Sequence, residues 1–172
     1  RTAEATSVFA HVDGDDGGRY PLTGVGDVNT YALFAETISR ITAPAGRAGF
    51  IVPTGIATDD TTKVYFAHLA RSGNLHSIRA FENEEFIFPA VHHAFRFCLL
   101  VLGHAEQAEF VFFARQPLQI HDPRRRFTLT ADDFFPEKDW DVLAVTGYMN
   151  PDPYTGTPGV EKLAVDSYRV RV

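Results

Sequence analysis

The stretch of sequence that decides the fold is Gly46-Arg47-Ala48-Gly49-Phe50-Ile51-Val52-Pro53-Thr54-Gly55. Residues 48–52 form a short apolar run that contains β-branched side chains, and Pro53 and Gly55 close this run. A run of this length between turn-forming residues predicts a buried parallel strand that leads into a loop.

The segment before this strand has the spacing of a helix. Apolar side chains recur there at steps of three and four residues. They are Val28, Tyr31, Ala32, Ala35, Ile38 and Ile41. The spacing predicts a helix near residues 28–42 with one apolar side, for which Asp27 is the candidate cap and which Pro44 ends.

After the strand, the sequence predicts a second helix near residues 60–72, which Gly73 ends, and a second strand near residues 75–81. Asp59 and Asp60 resemble a catalytic carboxylate pair, but capping of the second helix accounts for both. The order helix, strand, helix, strand predicts right-handed crossovers onto a parallel sheet.

Two further apolar runs change this pattern. Residues 95–102 and 109–115 are apolar and the residues between them are polar, which predicts an antiparallel hairpin. The predicted fold class is therefore α/β, with parallel strands that end in an antiparallel hairpin. We divide the chain into an irregular lead-in (1–26), a partial domain (27–116) and a tail of uncertain structure (117–172).

The composition is that of a globular protein. The chain has 172 residues, of which 45% are hydrophobic, and this favours a core in one domain over a disordered chain. A formal net charge of -6 gives no global basic footprint for nucleic acid. The single cysteine, Cys98, excludes an internal disulfide framework, and its place in an apolar run predicts an inert buried thiol. No apolar run has membrane-spanning length and no secretory signal opens the chain, so a cytoplasmic protein is expected.

Several segments, in one order along the chain, resemble the later motifs of gamma-class adenine-N6 DNA methyltransferases. The resemblance covers about residues 18–115. Its pieces are Asn29-Thr30-Tyr31-Ala32-Leu33-Phe34 (fifth motif), Gly46-Arg47-Ala48-Gly49-Phe50-Ile51-Val52-Pro53 (sixth), Ile87-Phe88-Pro89 (the stretch leading to the eighth) and Phe97-Cys98-Leu99-Leu100-Val101-Leu102 (the strand that follows). Enzymes of this family occur as single-chain restriction–modification proteins and in phage-defence systems.

The resemblance implies a Rossmann-like S-adenosylmethionine methyltransferase fold, of which this chain holds the C-terminal half. In that family the target adenine is flipped out of the DNA, and an aromatic side chain stacks on the flipped ring. By resemblance, this side chain is Phe88. The resemblance also implies that Asn29, Tyr31, Phe34 and Pro53 help to form the floor of the pocket beneath the cofactor and the target base.

Each of these residues also has a plainer explanation. Phe88 could pack in the core, as Phe86 or Phe95 could, and Tyr31 lies on the apolar side of the first predicted helix. Asn29 could cap that helix, and the residues that follow the first strand could form a plain turn.

The earlier motifs of the family are absent from the sequence. Neither the glycine-rich cofactor motif nor the catalytic motif, Asn or Asp followed by Pro-Pro and an aromatic residue, is present. Asn150-Pro151-Asp152-Pro153-Tyr154 is superficially similar to the catalytic motif, but the inserted Asp152 and the position behind the other motifs favour a proline-rich loop. We therefore expect part of a DNA methyltransferase, from a truncated or rearranged gene, that is inactive without its N-terminal half.

A non-catalytic module is the alternative. A half-sheet leaves a strand edge unpaired, and such an edge could bind a partner methylase subunit, while nucleic acid is the other candidate partner. The flanking DNA discriminates between these hypotheses. An upstream reading frame with the cofactor and catalytic motifs would support the enzyme part, and an intact separate gene would support the module.

Two polar clusters complete the sequence analysis. The run Arg124-Arg125-Arg126 is explained about equally by a solvated loop and by contact with phosphate. His92 and His93 would point apart on a strand, and no acidic or thiol ligand stands at helical spacing from them, so no metal site is expected.

Overall fold

The computed structural model describes residues 9–11, 18–26 and 28–134. The helices of this part are α1 (Thr30–Ile41), α2 (Gly55–Thr58), α3 (Lys63–Arg71) and α4 (Ala131–Phe134). The strands are β1 (Ala48–Pro53), β2 (Leu75–Glu82), β3 (Arg96–Leu102), β4 (Ala108–Ala114) and β5 (Arg126–Leu129). Short 3-10 turns occupy Asp60–Thr62, Asn83–Glu85, Pro117–His121 and Pro123–Arg125. None of the described helices is long and apolar enough to cross a membrane.

The helices predicted from the apolar spacing are present with slightly different ends. The helix predicted near 28–42 is α1, and the helix predicted near 60–72 is α3 with a separate 3-10 turn before it. The apolar side of α1 differs from the prediction, since Ile41 is exposed and Glu36 is fully buried. The candidate cap Asp27 lies outside the described residues.

Glu36 is buried because its carboxylate binds Thr23 of the lead-in segment and so holds that segment against α1. Its carboxylate accepts hydrogen bonds from the backbone N–H and the hydroxyl of Thr23, at 2.9 and 2.6 Å, and pairs with Arg40 on the next turn of the helix. A buried carboxylate is tolerated where donors surround it in this way. Apolar spacing alone could not reveal these donors.

The described strands form one mixed sheet in the order β1-β3-β2-β4-β5. β3 runs antiparallel to both of its neighbours, and β5 runs antiparallel to β4. Among these strands, β2 and β4 are the one parallel pair. The predicted parallel sheet is therefore wrong for most strand pairs. β1, β2 and β4 nevertheless run in one direction, so their carboxyl ends lie at the same edge of the sheet.

The predicted hairpin of residues 95–102 and 109–115 is also wrong. Both strands exist, as β3 and β4, but β2 lies between them. Crossing one strand requires roughly 10 Å, and the connection of residues 103–107 can span this because an extended chain covers roughly 3.3 Å per residue. The connection is fixed to the turn before β2, since Gly103 N–H donates to Asn74 O and Ala105 N–H donates to Gly73 O, both at 2.9 Å.

One side of the sheet carries the core and the helices. Strand residues at alternate positions point to this side, among them Cys98, Leu100 and Leu102 of β3. The helix α3 covers them with Tyr65 and Phe66, whose side chains are fully buried. The remaining positions of β3 point to the other side of the sheet.

Residues 126–134, in the segment treated as a tail, contribute to this core. Leu129 of β5 and Phe134 of α4 are buried in it, and the ring of Phe134 packs against those of Phe66 and Phe110. The sequence predicted no element here because four-residue pieces are too short to show a periodic pattern.

Candidate functional site

Phe97, the second residue of β3, lies at the edge of the sheet where β1 and β2 end and contacts residues of both. It pairs with Pro53 of β1 on one side and with Phe81 of β2 on the other. Its ring stacks on that of Phe81 with centroids 5.2 Å apart, and it meets the ring of Phe88 edge to face with centroids 4.8 Å apart. The structure therefore brings Pro53 and Phe88, two of the predicted site residues, together around Phe97.

Phe88 lies in the loop between β2 and β3 and is 37% exposed. Phe86 and Phe95, in the same loop, are 51% and 61% exposed. The expectation that these two side chains could pack in the core is therefore wrong. Three aromatic rings thus face solvent, wholly or in part, at the carboxyl edge of β1 and β2. Ligands of open α/β sheets bind outside such an edge.

Asn83, directly after β2, holds this loop together. Its side chain is fully buried. The carboxamide oxygen accepts a hydrogen bond from Phe88 N–H at 2.9 Å, and the carboxamide nitrogen donates to the carbonyl oxygens of Phe88 at 3.1 Å and Val91 at 2.9 Å. The loop also contains a left-handed backbone at Phe86, with φ of 53°, which is uncommon for a bulky residue.

Tyr31 reaches the same edge from α1, on the side of the sheet that carries the helices, whereas Phe97 and the Phe88 ring packed on it lie on the opposite side. Its hydroxyl donates to Oδ2 of Asp59, in the turn after β1, at 3.4 Å. Burial, and next the Asp59 carboxylate, raise the pKa of Tyr31 from 10.0 to about 12. The capping explanation is wrong for Asp59, whose side chain makes no cap hydrogen bond. Asp60 instead pairs with Lys63 at 2.7 Å.

Gly55 makes room for this contact. A Cβ atom at Gly55 would lie 2.3 Å from Oδ2 of Asp59 and 2.8 Å from the Tyr31 hydroxyl. The hydroxyl of Thr62 closes the turn by donating to the carbonyl oxygens of Gly55 and Asp59, at 2.6 and 3.0 Å. The turn after β1 is therefore closely packed around the end of the Tyr31 side chain.

The other two predicted residues of the pocket floor face solvent. Asn29 is exposed and occupies the N-cap position of α1, as the capping explanation has it, although its side chain makes no cap hydrogen bond. Phe34 is 68% exposed. It follows Tyr31 by three positions and therefore lies on a neighbouring part of the helix surface.

The described residues form cavities of different size at the two edges of the sheet. The cavity beside Thr54 and Arg96, at the edge where β1 and β2 end, measures about 10 Å³, whereas ligand pockets measure roughly 300–1,000 Å³. A cavity of about 650 Å³ lies at the opposite edge of the sheet, beside Leu102 and His104. The cavity beside Thr54 and Arg96 is therefore too small to hold S-adenosylmethionine.

Charged side chains at the edge pair with one another. Glu82, at the end of β2, lies 3.5 Å from Arg96 and 3.0 Å from Arg115. Arg115 also lies 3.0 Å from Glu84. The rim of the aromatic loop is therefore a mixed network of ion pairs and not a basic patch.

The run Arg124-Arg125-Arg126 is engaged within the chain. Arg124 pairs with Asp122 at 2.8 Å, Arg125 donates to a backbone carbonyl of β4 at 2.9 Å, and Arg126 pairs with Glu109. These contacts favour the solvated-loop explanation over contact with phosphate.

Three smaller expectations have different outcomes. His92 and His93 lie in the loop and not on a strand, and their rings are 4.4 Å apart, so the expectation that they point apart is wrong. Cys98 is buried, and burial raises its pKa to about 12, as befits an inert thiol. The segment 150–154 lies outside the described residues.

Sequence reasoning missed the residues that hold the site, Phe97 and Asn83. Phe97 was assigned to a strand, but the alternation along β3 does not reveal which loop packs on it. An asparagine directly after an apolar strand is a signal for a turn. That signal does not identify Phe88 and Val91 as the hydrogen-bond partners.

Comparisons with known proteins give little beyond this geometry. No protein-family model and no curated protein matches the chain. The chain is similar to one in a solved structure that concerns complex assembly and conformational transition of the type I R-M system. The identity is 16% and the TM-score 0.46, and the similarity covers 91% of this chain and 39% of that chain. This chain thus spans less than half the length of that one.

Proposed function

We propose that this chain is part of a site-specific DNA methyltransferase that transfers a methyl group from S-adenosylmethionine to N6 of adenine. In this proposal the chain is inactive alone. It supplies one wall of the pocket for the flipped base, and an N-terminal half supplies the cofactor and catalytic motifs. The position of Phe88 is the observation that carries the proposal.

An amine inside a duplex is out of reach of an enzyme, so the target base has to be flipped out and held. A flipped ring is held well by an aromatic face, because every base presents a π surface on which to stack. Phe88 is anchored on Phe97, partly exposed, and located where β1 and β2 end. The resemblance at Ile87-Phe88-Pro89 assigns the stacking role to the same residue.

By resemblance, the remaining site residues form the floor beneath the base and the cofactor, to which Tyr31 contributes from the helix side of the sheet. Methyl transfer depends on orientation of the amine against the sulfonium methyl group, which S-adenosylmethionine supplies when it is bound in the complete enzyme. Pro53 ends β1 beside Phe97. The Tyr31 hydroxyl is protonated at neutral pH, as a tyrosine ordinarily is, and its pKa is raised further, to about 12, so it acts as a hydrogen-bond donor. Asn29 and Phe34, exposed here, would be covered in the complete pocket.

Inactivity of the chain alone follows from the missing catalytic motif. In the family this motif provides the acceptors for the hydrogen bonds of the target amine, and such fixed polar groups supply much of the stabilisation of a transition state. The described residues around Phe88 offer a stacking surface and paired ions. They position a base but do not activate its amine.

The free edge of β1 indicates how a partner would join. β1 is the end strand of the described sheet and pairs there with β3 alone. Its Ile51 is 54% exposed. Unpaired strand edges readily accept another strand, so we propose that the N-terminal methylase half adds to the sheet at β1. The alternative, a non-catalytic module that binds a partner subunit, would use the same edge.

Methyl transfer with purified proteins tests the proposal. The chain alone, with duplex DNA and tritium-labelled S-adenosylmethionine, should give no labelled adenine. The chain combined with the N-terminal half, encoded upstream, should label adenine. Labelling by the chain alone would contradict the inactivity. An upstream region without cofactor and catalytic motifs, or a combined protein without activity, would favour the module.

A further inference from the structure

We infer that Asn83 is the positioning residue that sets the place and exposure of the Phe88 ring. The inference rests on the proposed function where it assigns base stacking to Phe88. The arrangement of the loop by Asn83 is independent of that function and is tested separately below.

The side chain of Asn83 forms a closed set of hydrogen bonds with the loop that carries Phe88. One carboxamide accepts from Phe88 N–H and donates to Phe88 O and Val91 O, and it is fully buried. Because both backbone groups of Phe88 are bound to the same side chain, the backbone at Phe88 has little freedom to rotate. The direction of its Cα–Cβ bond is therefore fixed, and with it the point from which the side chain extends.

The backbone of Asn83 extends this control to the two other exposed rings. Its N–H donates to Phe95 O at 3.2 Å, and its C=O accepts from Phe86 N–H at 2.8 Å. A single residue therefore bonds to the backbone of Phe86, Phe88 and Phe95. All three rings are at least partly exposed, so burial in the core does not place them, and at Phe88 the contact with Phe97 adds to the hydrogen bonds of Asn83.

The chemistry of the carboxamide explains why asparagine stands at this position. An asparagine side chain has one oxygen that accepts and one nitrogen with two protons to donate. At Asn83 the oxygen and the nitrogen are both used. An aspartate could still accept from Phe88 N–H but could donate to neither carbonyl, and it would bring a charge into a buried position.

Two variants of the full chain test the inference by nuclear magnetic resonance. Asn83→Ala removes all three side-chain bonds, and Asn83→Asp removes the two that are donated. The readouts are the exchange rate of the Phe88 amide proton and the nuclear Overhauser effect between the Phe88 and Phe97 rings. The ring contact is a readout that a change in stability alone would not move.

In Asn83→Ala, Phe88 amide exchange should rise about tenfold, since one lost hydrogen bond is worth up to roughly 1.4 kcal/mol. The ring contact with Phe97 should weaken in both variants. In Asn83→Asp the amide should remain protected while the ring contact still weakens. If Asn83→Ala does not fold, Asn83→Asp alone decides, because the ring contact is predicted to weaken there too.

Two matched control variants distinguish a loss of Phe88 ring position from a general loss of stability. Ser77→Ala alters another fully buried polar side chain, in β2, whose hydroxyl has no hydrogen-bond partner among the described residues, and should change neither readout. Leu100→Ala lowers stability because it truncates a buried core side chain, and it should leave the contact between the Phe88 and Phe97 rings intact. An unchanged ring contact in both Asn83 variants, with lowered stability, would overturn the inference.

A fluorescence measurement separates the inference from the proposed function. A single-stranded oligonucleotide with 2-aminopurine in place of adenine should be quenched by the wild-type chain combined with its N-terminal half, and less so when the chain carries Asn83→Ala or Phe88→Ala. No quenching by the combined wild-type protein would contradict base stacking by Phe88. The resonance data would then still decide whether Asn83 positions the ring.

Discussion

The ring of Phe88 meets the ring of Phe97 edge to face, with centroids 4.8 Å apart and planes at 72°. Phe97 in turn stacks on Phe81, with planes at 7°. Phe88 therefore rests on a pair of rings that belong to the sheet. An aromatic contact of this kind adds roughly 0.5–1.5 kcal/mol beyond the area that it buries. This is enough to anchor a ring without making it part of the core.

Phe88→Ala should lower the free energy of unfolding far less than truncation of a core phenylalanine. The matched control is Phe110→Ala, because Phe110 is a residue of β4 whose side chain is fully buried in the core. Truncation of such a side chain costs roughly 3–5 kcal/mol. Urea unfolding of the two variants measures the difference. Equal losses in both variants would show that Phe88 acts as a core residue.

Phe88→Ala should affect the flipped base strongly in the enzyme completed with its N-terminal half. Stacking is worth roughly 1–3 kcal/mol per base, which corresponds to a loss of about ten- to a hundredfold in kcat/KM for methylation. The rate of tritium transfer to duplex DNA measures this loss. Phe34→Ala, on the exposed surface of α1, should have a smaller effect. Unchanged methylation by Phe88→Ala would end the stacking hypothesis.

The sequence was sufficient to predict most helices and strands but not their arrangement. Strands near residues 95–102 and 109–115, observed as β3 and β4, are predicted by the pattern of apolar runs, because this pattern reports which segments are buried. It carries no information on the partner of each strand. The connection between these strands is long enough either to turn back as a hairpin or to cross the end of β2, so the insertion of β3 between β1 and β2 could not be predicted.

The candidate site could also be predicted only in part: one residue was identified, but the contacts that hold it were not. The resemblance singles out Phe88, and the structure places Phe88 at the sheet edge. Asn83 and Asp59 could not be assigned from the sequence, since their partners are backbone groups and a tyrosine distant in the chain. Hydrogen-bond partners of this kind are fixed by the folded geometry, and polar residue types next to a turn are too common to reveal them.

Tyr31 should make stability depend on alkaline pH. Burial, and next Asp59, raise its pKa in the folded chain to about 12, above the ordinary value of 10.0. The stabilisation is complete below the unfolded pKa and is lost as the pH rises through the folded pKa, because the unfolded chain ionises first. Urea midpoints measured on both sides of this window should fall more for the wild type than for Tyr31→Phe. Equal falls would contradict the prediction.

Gly55→Ala should destabilise the segment from Gly55 to Asp59 by roughly 1 kcal/mol, the low end of the cost of overpacking, because the atom that must move most is the end of the exposed Asp59 side chain. The added methyl group would lie 2.3 Å from Oδ2 of Asp59 and would force the carboxylate away from Tyr31. The control is Gly49→Ala in β1, where a Cβ atom would find its nearest neighbour, Cγ2 of Val101, at 3.9 Å. That variant should be close to neutral.

A double-mutant cycle with Asp59→Ala identifies the cause of the Gly55→Ala effect. If the overlap with Asp59 is responsible, Gly55→Ala should cost much less in the Asp59→Ala background than in the wild type, because the carboxylate that it displaces is gone. Residues in contact commonly show such coupling, of roughly 0.5–3 kcal/mol. Strictly additive losses in urea unfolding would mean that the methyl group disturbs the turn in another way, and that Gly55 is not there to admit the contact between Tyr31 and Asp59.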